Sequence, residues 1–167
     1  GAPSSGGGQL AFTRWSNEHW NWKNYRGGTA PEIWIGAPEA GMFRNITGHE
    51  ANDMFPMWIG GRGYFLSDRT GTPNIWSSDS SGDGVSQVTG FDGTGNGADS
   101  FDIRWAGVDT ARGGSRIIIE QGGELAIVDA ATGDIERQQL INSESLENLA
   151  PCLLVPAEGA SPPTVDE

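Results

Sequence analysis

The stretch YFLSDRTGTPNIWSSD, Tyr64 to Asp79, sets two short apolar runs on either side of a turn that carries Asp68, Arg69 and Gly71. Short runs rich in aromatic and β-branched residues, bounded by Gly, Pro, Asn and Asp, read as strands joined by a hairpin. Whether Asp68 and Arg69 perform chemistry or turn the chain depends on whether the pattern recurs, because a repeated hairpin already accounts for its turn residues. NIWS at Asn74 to Ser77 echoes EIWI at Glu32 to Ile35, with Ile33 and Ile75 separated by 42 residues. The strand end NIT at Asn45 to Thr47 recurs as QVT at Gln87 to Thr89, again 42 residues on. Asp68 and Arg69 therefore fall in the bend between the second and third strands of a repeated unit. There Gly71 supplies the positive φ and Asp68 accepts backbone hydrogen bonds.

A third, weaker copy follows, with MFPMW (Met54 to Trp58) echoed by FDIRW (Phe101 to Trp105) and the hairpin echoed by IIIEQGGELAIVDAATGD (Ile117 to Asp134). A period near 42 with four short strands per unit matches one blade of a β-propeller. The middle unit predicts strands over Met54 to Trp58, Gly63 to Ser67, Asn74 to Ser78 and Val85 to Thr89. The third predicts Phe101 to Trp105, Arg116 to Gln121, Glu124 to Val128 and Ile135 to Leu140. The first shows only Leu10 to Arg14, Glu32 to Ile35 and Met42 to Thr47, without an opening strand. The expected fold is all-β, about three four-stranded antiparallel blades of an incomplete propeller. Residues 1–8 read as a flexible linker, 9–140 as the partial propeller, and 141–167 as a polar tail or the start of a further blade. Trp34 and Trp76, equivalent in the third strands, are expected to pack between sheets. Three blades leave two apolar flanks, so a homo-oligomer is expected.

Composition agrees with this reading. In 167 residues, 26 glycines and nine prolines break the chain too often for helices of ordinary length. One lysine, Lys23, and nine arginines stand against 22 acids, and the net charge of −12 repels a polyphosphate backbone, which excludes nucleic acid as a partner. No apolar run is long enough to cross a membrane as a helix. The single cysteine, Cys152, has no internal disulfide partner and fits a reducing compartment.

No motif points to chemistry within these residues. DSSGDG at Asp79 to Gly84 begins like a calcium loop, but the twelfth position, which must be a bidentate glutamate, is Gly90. It reads as a hairpin, repeated by DAATGD at Asp129 to Asp134. GTGNG at Gly93 to Gly97 precedes a strand instead of the helix that a phosphate cradle needs, and reads as an interblade loop. The only histidines, His19 and His49, have no metal-ligand spacing and no partnered nucleophile, so no catalytic residue, metal or cofactor is assigned. The peptide- or partner-binding candidates are His49, in a loop between blades, and the aromatic loop WSNEHWNWKNYRGGTAP with Trp15, Trp20, Trp22, Tyr25 and Arg26. That loop spans 17 residues where the middle blade uses six, and packing against the neighbouring blade is the competing reading of its aromatics.

The blade pattern FPMW...GYFLSDRTGTPNIWSSDSSGDGVSQVT resembles the repeat of TolB-type propellers. NWKNYRGGTAPEIWI resembles the N-terminal six-bladed propeller of tricorn proteases, and RIIIEQGGELAIVDAATGDIE is similar to a further blade of that family. Together these segments cover about residues 9–140. The resemblance implies a piece of a large cytoplasmic serine peptidase, in which this propeller guides or gates peptides toward a catalytic site located elsewhere in the parent protein. Its partners would be peptides and the remaining domains of that protease. The alternative is a TolB-like, non-catalytic scaffold for protein–protein binding.

Overall fold

A computed structural model describes residues 1–4, 6–15, 24–109 and 114–138. Three four-stranded antiparallel sheets follow one another along the chain, each a meander in which sequence neighbours pair. The first blade contains β1 (Ala2–Pro3), β2 (Leu10–Arg14), β3 (Glu32–Ala37) and β4 (Met42–Asn45). The second contains β5 (Asp53–Ile59), β6 (Arg62–Ser67), β7 (Asn74–Ser78) and β8 (Ser86–Gln87). The third contains β9 (Ile103–Asp109), β10 (Arg116–Gln121), β11 (Glu124–Asp129) and β12 (Ile135–Gln138).

The sheets stack face to face because the central strands are apolar on both sides. Side chains alternate along a strand, and in β6 Tyr64 and Leu66 enter one cluster while Phe65, between them, enters another. The first cluster joins the second and third blades through Met57, Leu66 and Ile75 against Ile103, Ile117 and Val128. The other joins the first and second blades through Ala11, Ile33, Ile35 and Ile46 against Phe65, with Trp58 and Trp76 packed on its margin.

The 42-residue repeat has a hydrogen-bonding counterpart. Thr47 Oγ1 accepts from Ile33 N at 3.1 Å and Thr89 Oγ1 accepts from Ile75 N at 2.9 Å. Ile46 N donates to Ile33 O and Val88 N to Ile75 O, at 2.9 and 2.8 Å. Each threonine thus extends the ladder past the end of the fourth strand with a side-chain oxygen, which satisfies a backbone donor that the departing chain no longer covers.

The hairpins between third and fourth strands repeat as well, and they lock one blade to the last. A Cβ on Gly82 would lie 2.5 Å from Ile46 O, and one on Gly133 would lie 2.2 Å from Val88 O. Both glycines have positive φ, 82° and 77°. Arg44 adds a second link between the first two blades by donating to the carbonyls of Ser80 and Ser81. Inside each hairpin one aspartate holds the turn. Asp79 Oδ1 accepts from Ser81 N, Ser81 Oγ and Asp83 N; Asp129 Oδ1 accepts from Ala131 N, Thr132 N and Thr132 Oγ1. The Ser81 hydroxyl and the Asp83 N–H hold the Asp79 carboxyl below the usual range, and the Thr132 and Ala131 N–H groups do the same for Asp129. The same sequence, DSSGDG, that begins like a calcium loop is a self-contained turn.

Three expectations are corrected. The first blade has an opening strand, since Ala2 and Pro3 pair with Ala11 and Leu10. Composition read these residues as part of a flexible linker, but pairing with a neighbouring strand overrides local preference, and an edge position tolerates the missing N–H of Pro3. The opening strand of the third blade begins at Ile103 and runs to Asp109, because Gly97–Ser100 form a 3-10 turn whose end leaves Phe101 exposed. Trp76 packs between sheets as expected, whereas Trp34 lies on the side of the first blade that no other described blade covers and donates its indole N–H to Glu32 at 3.3 Å. Alternation dictates this, since Ile33 and Ile35 already occupy the covered side. The last strand is described only as far as Gln138, so Leu140 and the tail 141–167 lie outside the described residues.

Two predictions follow from these turns. Gly133→Ala combines a strained φ with a backbone collision, whereas Gly123→Ala, at φ 82° with open space around it, carries the strain alone. Urea denaturation should show a loss of about 1 to 2 kcal/mol for Gly123→Ala and, with overpacking of about 1 to 3 kcal/mol added, a larger loss for Gly133→Ala. Equal losses would mean that the two blades do not meet at this glycine. The hairpin aspartates have native pKa values below their unfolded ones, so their contribution is complete above the unfolded value of about 3.9 and disappears as the pH falls through the native value. The denaturation midpoint should drop through this acid window in the parent chain, and Asp129→Ala should reduce that drop.

Candidate functional site

Asp68 is a heavily engaged side chain. Its carboxylate accepts from Asn52 N at 2.9 Å, Asn52 Nδ2 at 2.6 Å, Asn24 N at 2.9 Å and Arg26 Nη1 at 3.0 Å. Its own carbonyl accepts from Arg26 Nη2 and Gly71 N. Three segments meet on this residue: the end of the aromatic loop, the link between the first two blades, and the β6–β7 hairpin. Asp68 is buried while Arg26 remains about one-third exposed, so the pair keeps one foot in water. Asp68 does turn the chain, with Gly71 at φ 95°, but it also clamps the aromatic loop to the second blade.

Next to it lies a drier pair. Arg69 donates to Asp53 Oδ1 at 3.1 Å and to Ser67 Oγ at 3.0 Å, and its guanidinium stacks 4.8 Å from the Trp76 ring and 5.2 Å from Phe65. Asp53 is fully buried. Burial pushes its carboxyl above the usual range, against the opposing pull of the Ser67 hydroxyl and the Arg69 charge. Arg69 thus joins the interblade apolar cluster to the polar loops above it.

A second feature is concave. β5 packs against both β1 and β9, and together with β2 these opening strands line a cavity of about 850 Å³. Its wall includes Pro3, Met54, Phe55, Pro56, Ala106 and Val108, and no charged side chain among the described residues contributes to it. Phe55 and Pro56 sit in a bulge that interrupts pairing between Met54 and Met57, and Phe55 has a φ of 52°. Bulges re-aim side chains, and a non-glycine residue at positive φ stores strain that the surroundings must support. The signal in the sequence was Pro56, which cannot donate in the middle of a paired strand.

Of the residues singled out from the sequence, His49, Trp15, Tyr25 and Arg26 lie within the described residues. His49 is exposed, and its Nδ1 accepts from Ala51 N at 3.0 Å. Trp15 is 52% exposed with φ 59°, and Arg14 stacks between it and Trp34 at 5.2 and 4.8 Å. Tyr25 shares a hydrogen bond with Thr29, and Arg26 is committed to Asp68. Trp20, Trp22 and His19 lie outside the described residues.

Successive four-stranded meanders, packed face to face with their opening strands side by side around a concavity, define a segment of a β-propeller. Residues 1–134 match the tricorn protease N-terminal β-propeller domain, and the chain belongs to that family. It is 37% identical over 113 residues to tricorn protease homolog 1 of Streptomyces coelicolor, a match covering 67% of this chain and 10% of that relative. The crystal structure of the tricorn protease superposes with a TM-score of 0.65 at 31% identity, over 78% of this chain and 12% of that one. TolB from Acinetobacter baumannii shares the fold at a TM-score of 0.53 and 19% identity, over 81% of this chain and 31% of its own. The chain spans about a tenth of the length of the tricorn relatives it matches. No helix among the described residues is long and apolar enough to cross a membrane.

Removing the Asp68 carboxylate leaves Asn52 and Arg26 without their acceptor. Asp68→Ala should cost about 3 kcal/mol, as for other broken buried pairs, whereas Arg26→Ala, at the exposed end, should cost about 1 kcal/mol or less. Limited proteolysis should cut the 15–31 loop faster in both variants, and an unchanged cleavage rate in Asp68→Ala would refute the clamp.

Proposed function

We infer that this chain is the propeller part of a tricorn-like protease and guides or gates peptides toward a catalytic site elsewhere in the parent protein. The observation that carries this reading is the concave wall of the opening strands, which has no charged side chain among the described residues. Such a wall offers an extended peptide apolar contact with few charged side chains to trap it. The chain's net charge of −12 acts around that wall and disfavours acidic peptides. His49 and the aromatic loop, with Trp15, Trp20, Trp22, Tyr25 and Arg26, are the outer contacts proposed for peptide or partner, and the setting proposed is the cytoplasm. A non-catalytic binding scaffold of the TolB type is the second reading, favoured by the exposed indole of Trp15.

Fluorescence polarisation with labelled unstructured peptides tests both. An apolar peptide should bind the full chain more tightly than an acidic one, and Val108→Glu should weaken it by about tenfold, or 1.4 kcal/mol. Equal binding of the two peptides, or indifference to Val108→Glu, would sink the guiding role. Loss of partner binding in Trp15→Ala with Val108→Glu silent would favour the scaffold. The chain alone should leave fluorogenic tri- and tetrapeptides uncut, and His49→Ala should change nothing in that assay.

A further inference from the structure

GTGNG, Gly93 to Gly97, lies in the link between the second and third blades. Within it stands Asn96, the only asparagine in the sequence that a glycine follows. Residues 93–97 are all exposed, and the Asn96 side chain accepts no hydrogen bond from the 3-10 turn Gly97–Ser100 that it precedes. Gly97 itself has a φ of 61°. The described asparagines elsewhere differ on both counts. Asn24, Asn45, Asn52 and Asn74 each precede a residue with a side chain, and the amide of each is engaged in a hydrogen bond. Just beyond Asn96 the chain becomes anchored. Ala98 is buried so close to Gly122 that a Cβ there would lie 3.0 Å from the Ala98 Cα. Asp99 pairs with Arg137, which also donates to Gln121 Oε1 at 2.7 Å, and Gln121 Nε2 donates to Phe101 O at 2.9 Å. Asn96 therefore marks the boundary between a free loop and a turn held by the third blade.

We propose that Asn96 is a site of spontaneous covalent modification, converting to aspartate and isoaspartate through a cyclic imide closed by the Gly97 nitrogen. Asparagine is a thermolabile residue, and glycine, having no Cβ, leaves its own nitrogen unshielded and its backbone free to turn toward the side chain. The Gly97 nitrogen gives its proton to hydroxide and attacks Asn96 Cγ. A bond forms between that nitrogen and Cγ, the bond from Cγ to Nδ2 breaks, and the amide leaves as ammonia with a proton from water. A second water then opens the imide. Attack at Cγ restores the ordinary backbone and yields aspartate; attack at the main-chain carbonyl leaves the chain running through Cγ as isoaspartate. The balance is asparagine plus water to acid plus ammonia, with no change of oxidation state. Isoaspartate adds one methylene to the main chain between the loop and the anchored turn, and it shifts Asp99 out of register with Arg137. The modification thus loosens the tie between this link and the third blade. It is independent of the peptide-guiding role.

Peptide mass spectrometry on the full chain, aged in mildly alkaline buffer and then digested, tests it. The mass gain of an amide becoming an acid should accumulate on the peptide holding residue 96 ahead of those holding 24, 45, 52 and 74. Part of that product should take up a labelled methyl group from an isoaspartyl methyltransferase, which marks the imide route. Gly97→Ala, whose side chain crowds the attacking nitrogen, should slow the gain by about tenfold or more, equivalent to about 1.4 kcal/mol in the barrier. Asn96→Gln should abolish both signals. Aged parent chain should denature at a lower urea concentration than fresh chain, while aged Asn96→Gln should match its fresh form. The proposal is overturned if residue 96 keeps its amide over a period in which the urea-unfolded chain loses it. It is equally overturned if another described asparagine converts first, if no isoaspartate forms, or if Gly97→Ala leaves the rate unchanged. An unmoved denaturation midpoint in fully converted chain would overturn the effect on the third blade.

Discussion

Everything in this fold depends on one strand being apolar on both sides. Phe65 and Leu66 are adjacent, fully buried and point in opposite directions. An antiparallel sheet with one wet face needs polar residues at every second position, and β6 has none across Tyr64, Phe65 and Leu66. The middle sheet must therefore be covered twice. A meander that returns at once to the same sheet can supply that cover only through another unit like itself, so repetition follows from the composition of this strand.

The polar groups occupy the places that stacking leaves. Where the chain passes from one blade to the next, backbone donors emerge from the ladder with no strand to receive them. Thr47, Thr89 and Asp68 receive them instead. The buried acids Asp53 and Asp68 are each held against an arginine from a neighbouring turn. Arg69 also lies on the Trp76 and Phe65 rings, so one side chain serves the ion pair and the interblade packing together.

Much of this was legible in the sequence because the repeat recorded it. The strands Leu10–Arg14, Asn74–Ser78 and Arg116–Gln121 fall where the apolar runs stand, and the paired tripeptides at 45–47 and 87–89 mark equivalent strand ends. What was not legible arises from contacts distant along the chain. Ala2 and Pro3 become a strand only by pairing with β2, and nothing in GAPSSGGG announces it. Asp68 looked like a turn residue because its acceptors' partners, Asn24, Arg26 and Asn52, lie 16 to 44 residues away. Trp34 and Trp76 look identical by repeat, yet among the described residues only Trp76 has a preceding blade against its face, since a repeat fixes which face a residue takes and not whether that face is covered.

The close approach of Gly82 and Gly133 to the preceding blade acts on the scale of the whole assembly. Neighbouring sheets are held apart near the axis by the side chains of their opening strands, and near the rim by what stands between one blade's outer hairpin and the previous blade's last strand. The ratio of those two separations is a wedge angle, and the wedge angle sets how many blades complete a circle. With bare backbone against the carbonyls of Ile46 and Val88, the rim is drawn in as far as atoms permit. A missing side chain at one hairpin position thus helps to set the circumference.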